Sequence, residues 1–277
     1  MAGKKPFAVV TDSTADLPSD WARQHGIRVV PLKVMFGNET FRDGVDLTSD
    51  QFFERLRAAD RLPTTSAPAP GEFAEAYREL ARDHEGCVSI HLGTFLSGTV
   101  ASARAGAATV EGFPVHVVDS GSVTMTIAFL CQAAAEASTL EEAVNRVQER
   151  LPKQRILCLL DTLRYVEMGG RVNRAQAMIG ALLDLKPILR LVPGEIRGVD
   201  RARTRSRGIP RLLELLRREL PVERLAVVHA QAAEDAERMR EELAGEVPDL
   251  EISTAQIGSV LGTHVGPRAL GFAYLQS

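Results

Sequence analysis

Two patterns of apolar residues alternate along the chain. Phe7–Thr11, Val88–Leu92 and Val115–Val118 are short, Val- and Ile-rich runs, as expected of strands buried on both faces. Between them, Gly71–His84 sets Phe73, Ala76, Tyr77 and Leu80 on one stripe, which predicts a helix. The Ala-rich stretch Ser97–Val110 predicts a second. This is the rhythm of βαβ units. Val29–Phe36, Gly37-Asn38 and Glu39–Phe41 predict a β-hairpin leading off the first unit. Thr48 followed by Gln51 predicts a capping box on a helix reaching Ala59.

After Thr139 the character changes. Leu140–Leu151 predicts a charged amphipathic helix, Arg155–Leu160 a strand, and Asp161–Met168 a helix stopped by Gly169-Gly170. Ala175–Leu185 and Pro187–Val192 are apolar, and Pro193-Gly194 turns the chain into Glu195–Val199. Leu225–His229 and Leu250–Ile257 read as strands around a helix at Ala232–Ala244, and Arg268–Leu275 ends the chain. There is no internal repeat or low-complexity linker. The change of pattern predicts two α/β domains, residues 1–152 and 153–277.

With 277 residues, 45% hydrophobic and 25% charged, the chain has the balance of a globular protein. A net charge of −3 argues against nucleic acid as the main partner. The basic start, Met1–Lys5, precedes a run too short for a signal peptide, and no apolar stretch reaches about 18 residues. A soluble, cytoplasmic protein is expected. Cys87, Cys131 and Cys158 lie far apart in apolar runs, an odd count that predicts reduced core cysteines. His25, His84, His91, His116 and His229 show no metal-ligand spacing.

Candidate chemistry starts at His91–Thr99, a strand end that opens a helix, where free N–H groups and the dipole favour an anion. Gly93 and Gly98 have the spacing of a phosphate loop, but Thr99 stands where that loop needs Lys. Ser97 is not in a nucleophile elbow, because Phe95 replaces the first glycine. Hydroxyls without a lysine suit a singly charged carboxylate; plain capping by Ser97 is the alternative. Pro63–Pro68 holds a second hydroxyl cluster, or else a rigid polar loop. Arg171, after Gly169-Gly170, reads as a ligand cation or a cap on helix carbonyls. His264 falls in a Gly-rich segment, Gly262–Pro267, that predicts a turn.

Together these motifs resemble the DegV family of bacterial fatty-acid-binding proteins. The likeness rests on Thr11–Pro18, Asp43-Gly44, Thr65–Pro68, Leu96–Thr99, Gly169–Val172, Leu185–Leu189, Arg203-Thr204 and His264–Pro267, in the family's order from about residue 7 to the end. The resemblance implies a Rossmann-like first domain with a parallel sheet, a smaller α/β second domain, and a ligand tunnel between them. It implies that Thr65, Ser97, Gly98, Arg171 and His264 hold the carboxylate of one long-chain fatty acid such as palmitate or oleate. Arg203 matches a position linked to docking or phosphotransfer with a fatty-acid kinase subunit. A non-catalytic carrier without cofactor or metal is expected, with at most transient membrane contact. Two departures stand out. Ala67 replaces a usual Gln, and the segment after Asp119-Ser120, Ser122–Phe129, is bulkier than the family's glycines.

The energetics agree with a carrier. Each buried methylene contributes roughly 0.8 kcal/mol, so about 14 give on the order of 11 kcal/mol before ordering costs. The carboxylate is the difficulty, since burial without partners costs several kcal/mol. Hydroxyls, helix N–H groups, an Arg fork and a His donor can replace its water. The alternatives are a stand-alone phosphotransfer enzyme related to dihydroxyacetone kinases, a serine hydrolase using Ser97 and His264 with Asp12 or Asp119, and a pure interaction protein with an unfilled tunnel. Arg197, Arg201, Arg203, Arg205, Arg207 and Arg211 flank a single local acid, Asp200, and predict a basic face.

Overall fold

The computed structural model describes residues 4–170 and 185–277. Its N-terminal half is built on a four-stranded parallel sheet in the order β2-β1-β6-β7, made of β1 (Ala8–Asp12), β2 (Arg28–Val30), β6 (Cys87–His91) and β7 (Val115–Asp119). Every residue of β1 and β6 is buried, as their unalternating apolar runs require. The chain leaves β1 for one neighbour and later returns to the other, so the order reverses between β1 and β6. Crevices at the carboxyl ends of strands at such a point are where open α/β sheets bind ligands. Helices α1 (Ser19–Gln24), α3 (Pro70–Leu80), α4 (Thr99–Ala107) and α6 (Leu140–Arg150) complete this layer.

The expected strand Val29–Phe36 is two strands in two sheets. Pro31 has no N–H for a ladder and breaks the run. β2 stops at Val30, and β3 (Lys33–Phe36) enters a three-stranded antiparallel sheet with β4 (Glu39–Arg42) and β5 (Thr64–Ser66), in the order β4-β3-β5. The hairpin turn falls at Gly37-Asn38, as the sequence predicts, and Gly37 takes a φ of 59°. β5, readable only as a polar loop, pairs Thr65 with Val34. α2 (Ser49–Ala58) begins with both bonds of the Thr48–Gln51 capping box in place.

The C-terminal half holds a six-stranded sheet in the order β10-β9-β8-β13-β11-β12, from β8 (Gln154–Leu159), β9 (Lys186–Val192), β10 (Glu195–Ala202), β11 (Val222–His229), β12 (Ile252–Gln256) and β13 (Leu270–Gln276). Only β11 and β12 pair in parallel. α8 (Arg205–Arg217) and α9 (Ala233–Glu246) cover one face through Leu212, Leu213, Leu216, Ala236, Met239 and Leu243. α5 (Met125–Ala135) packs against β1 and β6 on one side and β8, β11 and β13 on the other. Sandwiched between sheets, it is apolar all round, and only Gln132 and Ala135 escape full burial.

α7 (Arg164–Met168) and α10 (Ser259–Val265) complete the fold, and α10 packs on α2, β3, β5 and α7. His264 therefore lies on a short helix, not in the predicted turn; Gly266, with a φ of 74°, supplies the stop just beyond. The helix expected from Ser97 starts at Thr99 instead. The apolar stretch 175–184 lies outside the described residues. No described helix is long and apolar enough to cross a membrane.

Candidate functional site

A cavity of about 230 Å³ lies where the two halves meet. Its floor is one row across the six-stranded sheet, Leu189, Cys158, Gly271 and Val228, which the strand registers place side by side. The small residues at the middle of this row leave the space. A Cβ at Gly271 would run into the Leu157 carbonyl oxygen. Thr14, after β1, and Leu92, Leu96 and Ser97, after β6, bring in the carboxyl ends of the parallel strands. Val260, Leu261 and Val265 add the apolar side of α10.

Polar groups enter this apolar space at few places. Thr65 Oγ1 and His264 Nε2 lie 3.0 Å apart, joining β5 to α10 across 199 positions of sequence. Ser97 and Gly98 line the same cavity. Ser97 does not cap α4: the N-cap is Gly98, without a side-chain cap bond, and Ser97 Oγ pairs with Thr99 Oγ1 at 2.9 Å. Gly169 packs on the His264 ring so closely that a Cβ there would strike Nδ1. The Gly169-Gly170 turn thus carries the chain past His264 just before Arg171, which lies outside the described residues.

Arg203 is not part of the cavity. It is exposed immediately after β10, and among the described residues it makes no ion pair. The expected basic face is thinner than the sequence implies, because local acids and two distant ones neutralise part of it. Arg205 is drawn inward to Asp161 and Asp235, Arg197 pairs with Glu195, and Arg211 with Asp200 and Glu214.

Thr14, Thr124, Cys158 and His229 also line the cavity, beyond the site residues that the sequence suggests. For Cys158 the available signal was its place between Ile156 and Leu160, which share its face of β8 and the cavity. It is only partly buried, in contrast to the expected core position, while Cys87 and Cys131 are buried. Burial pushes all three thiols up to about 12. His229, at the carboxyl end of β11, accepts a hydrogen bond from the Ala232 N–H at 3.4 Å, and burial lowers its pKa.

A second histidine network is sealed from the cavity. His91 Nδ1 donates to Asp12 Oδ2 at 3.0 Å, and the Leu92 N–H donates to the same oxygen at 3.0 Å. Asp12 Oδ1 accepts from the Thr14 N–H at 3.0 Å and its hydroxyl at 2.5 Å. With Nδ1 donating, His91 Nε2 accepts from Ser89 Oγ (2.7 Å), which accepts from the Tyr77 hydroxyl (2.9 Å). Asp12, His91, Ser89 and Tyr77 are all fully buried, and desolvation raises the Tyr77 pKa. This is the hydrogen-bond order of a serine–histidine–aspartate triad, without access for a substrate.

The fold and cavity define a two-domain α/β protein enclosing a mostly apolar, ligand-sized space with a hydroxyl–imidazole pair in its wall. The chain belongs to the DegV family, whose sequence model, described as an uncharacterised protein family, matches residues 6–277. It is 38% identical to protein DegV of Bacillus subtilis over 97% of this chain and 98% of that one. The crystal structure of B. subtilis DegV, described as a fatty acid binding protein, superposes with a TM-score of 0.90 at 36% identity, covering 99% of this chain and all of that one. A Thermus thermophilus DegV family protein, described by its fatty acid binding, also gives 0.90 at 30% identity, over 98% of this chain and all of that one.

Proposed function

We propose that this chain holds one long-chain fatty acid in the cavity and presents its carboxylate to a kinase subunit. The observation that carries the reading is the Thr65–His264 pair in the wall of a mostly apolar cavity. An alkyl chain needs only shape and the loss of water, which the floor of Leu189, Cys158, Gly271 and Val228 offers. A carboxylate needs donors. His264, the hydroxyls of Thr65 and Ser97, and the N–H groups at Gly98 and the start of α4 are the described candidates. Arg171 supplies the balancing charge in this reading, supported by the course of the chain past His264 at Gly169. The related structures described as fatty acid binding proteins add support from outside the chain.

Arg203 is assigned to docking or phosphotransfer with the partner rather than to the carboxylate in the cavity, because it is exposed and free of ion pairs among the described residues. There it would meet the acidic surface of a fatty-acid kinase or the extra charge of an acyl phosphate. Residues 1–152 and 153–277 are taken as the two domains, supported by the start of the six-stranded sheet at Gln154. A hydrolase at Ser97 has less support, since its hydroxyl pairs with Thr99 while His264 pairs with Thr65.

Native mass spectrometry of protein made in bacteria, before and after solvent extraction, tests the reading. The expected result is loss of one fatty acid and uptake of added palmitate or oleate. Protein that is ligand-free and takes up neither would overturn it.

A further inference from the structure

Two motifs of the N-terminal half, Thr11–Pro18 and Asp43-Gly44, contribute no side chain to the proposed head-group site, yet their acids converge on the helix that carries His264. Asp16 Oδ1 accepts the Gly258 N–H at 2.8 Å. Asp43 Oδ1 accepts the Ser259 N–H at 2.9 Å and the Ser259 hydroxyl as well. These bonds span more than 200 positions and join the N-terminal domain to the first residues of α10. A Cβ at Gly258 would lie 3.1–3.2 Å from oxygens of both carboxylates, so the two acids share one corner and leave little room for a side chain between them. From Ser259 to His264 is about 7.5 Å along a rigid helix axis. The far end is then fixed by the Thr65–His264 bond.

Asp16 has a second contact. Its Oδ2 accepts the Thr124 hydroxyl at 2.6 Å, and Thr124 lines the cavity. Thr124 stands at φ 57°, ψ −146°, a conformation costly for a β-branched residue, by roughly 1–3 kcal/mol. Its backbone N–H donates to the Thr14 carbonyl at 2.8 Å, so this bond and the one to Asp16 hold the strained turn. The acids therefore reach both the helix behind His264 and the cavity wall.

We propose that Asp16 and Asp43 are positioning residues, which dock the start of α10 on the N-terminal domain and thereby set His264 against Thr65 for head-group binding. The proposal rests on the fatty-acid reading for its ligand, but its geometry stands without one. It also carries a pH signature. The charged groups facing the pair are each other and Asp12 on β1; the turn after β1, the start of α5 and the start of α10 face it with the Ser13, Thr124 and Ser259 hydroxyls. Desolvation, with the neighbouring acids adding, pushes Asp16 up to about 8, and burial raises Asp43. A docked Asp16 thus keeps a proton that an undocked one gives up near its ordinary value of 3.8. Docking is fully favoured below that value and weakens as pH rises towards about 8.

The test follows the His264 ring by NMR in ligand-free protein, and palmitate binding at pH 6.5 and 8.5. Asp43→Ala is expected to shift the His264 titration and weaken palmitate roughly tenfold or more, with Asp43→Asn, which keeps one acceptor, restoring most of it. Asp16→Asn imitates the protonated acid. It is expected to bind at least as tightly as wild type at pH 6.5, where wild-type docking is already weakened, and to lose about tenfold less affinity than wild type between pH 6.5 and 8.5. The ionisation of palmitate is common to both proteins and cancels, and the NMR titration of His264 is followed in each protein separately. Equal pH ratios for wild type and Asp16→Asn, or an unmoved His264 in Asp43→Ala, would overturn the proposal. If Asp43→Ala does not fold, Ser259→Ala, which removes one donor from the same corner, carries the same readout. If the wild type binds no palmitate, the fatty-acid reading fails, while the His264 signals still decide the role of the acids.

Discussion

Two histidine–hydroxyl pairs in this protein have nearly the same geometry and opposite surroundings. His91 and Ser89, 2.7 Å apart, are fully buried, with Asp12 behind the ring and Tyr77 beyond the serine. His264 and Thr65, 3.0 Å apart, are only partly buried and line a cavity. The first pair spends its hydrogen bonds on its neighbours and ties β1 to β6. The second joins two domains at a space that can hold a molecule. The difference teaches that a catalytic-looking order of side chains is not a site by itself; access and an unfilled space decide what the pair can do.

Asp12→Ala should have the largest effect. It strips the acceptor from His91, Leu92 and Thr14 in a dry core, an expected loss of about 3–5 kcal/mol in urea unfolding. Palmitate binding by the folded fraction should stay close to wild type. Normal stability with lost binding would reverse the roles of the two networks.

His264→Ala should do the opposite. About 1.5–3 kcal/mol of palmitate affinity is expected to go, with ligand-free stability nearly unchanged, as isothermal titration and thermal melting would show. Arg171→Ala should fall in the same range, and Ser97→Ala below it because the backbone donors remain. Full affinity in both the Arg171 and His264 variants would remove the head-group assignment.

Cys158→Phe sharpens the comparison from the tail side. Filling the floor should displace about two methylenes, costing stearate roughly 1.6 kcal/mol and myristate less. Competition between the two acids would reveal the changed preference, and an equal loss for both would mean the tail avoids this row.

His229 is an intermediate case, lining the cavity yet bonded to its own loop. Its folded-state pKa lies below the ordinary 6.5, so its contribution is present above that pH and is lost as pH falls and the unfolded chain gains the proton. Melting at pH 7 and 5.5 should show His229→Phe flattening this decline by under about 1 kcal/mol. An unchanged slope would show that His229 titrates alike in both states.

What could be read from the sequence follows from the range of each interaction. β1 and β6 announced themselves because burial on both faces needs a continuous apolar run, and α2 because its cap bonds lie three residues apart; β7 forms where its valines predict a strand, but at the sheet edge it buries only Val118. β5 is too short for a period, and α10 is masked by the glycines at 262 and 266. Pro31 was a visible break whose consequence, a change of sheet, depends on partners elsewhere. For the site, resemblance supplied Thr65 and His264, but nothing local brings together residues 199 positions apart. The Asp12–His91 bond spans 79 positions, and the acids that meet Arg205 lie 44 positions before it and 30 after. Such pairings exist only once the sheets are assembled.

α5 has a consequence for how the protein is made. Its two apolar sides need two sheets, and the second is supplied by β8, β11 and β13, all later in the chain. On a ribosome adding about 5–20 residues each second, this greasy helix is finished on the order of ten seconds before β13 emerges. Until then one side has no cover, a surface that chaperones or other nascent chains can grasp. Synthesis speed downstream of α5 then sets how long that surface stays uncovered.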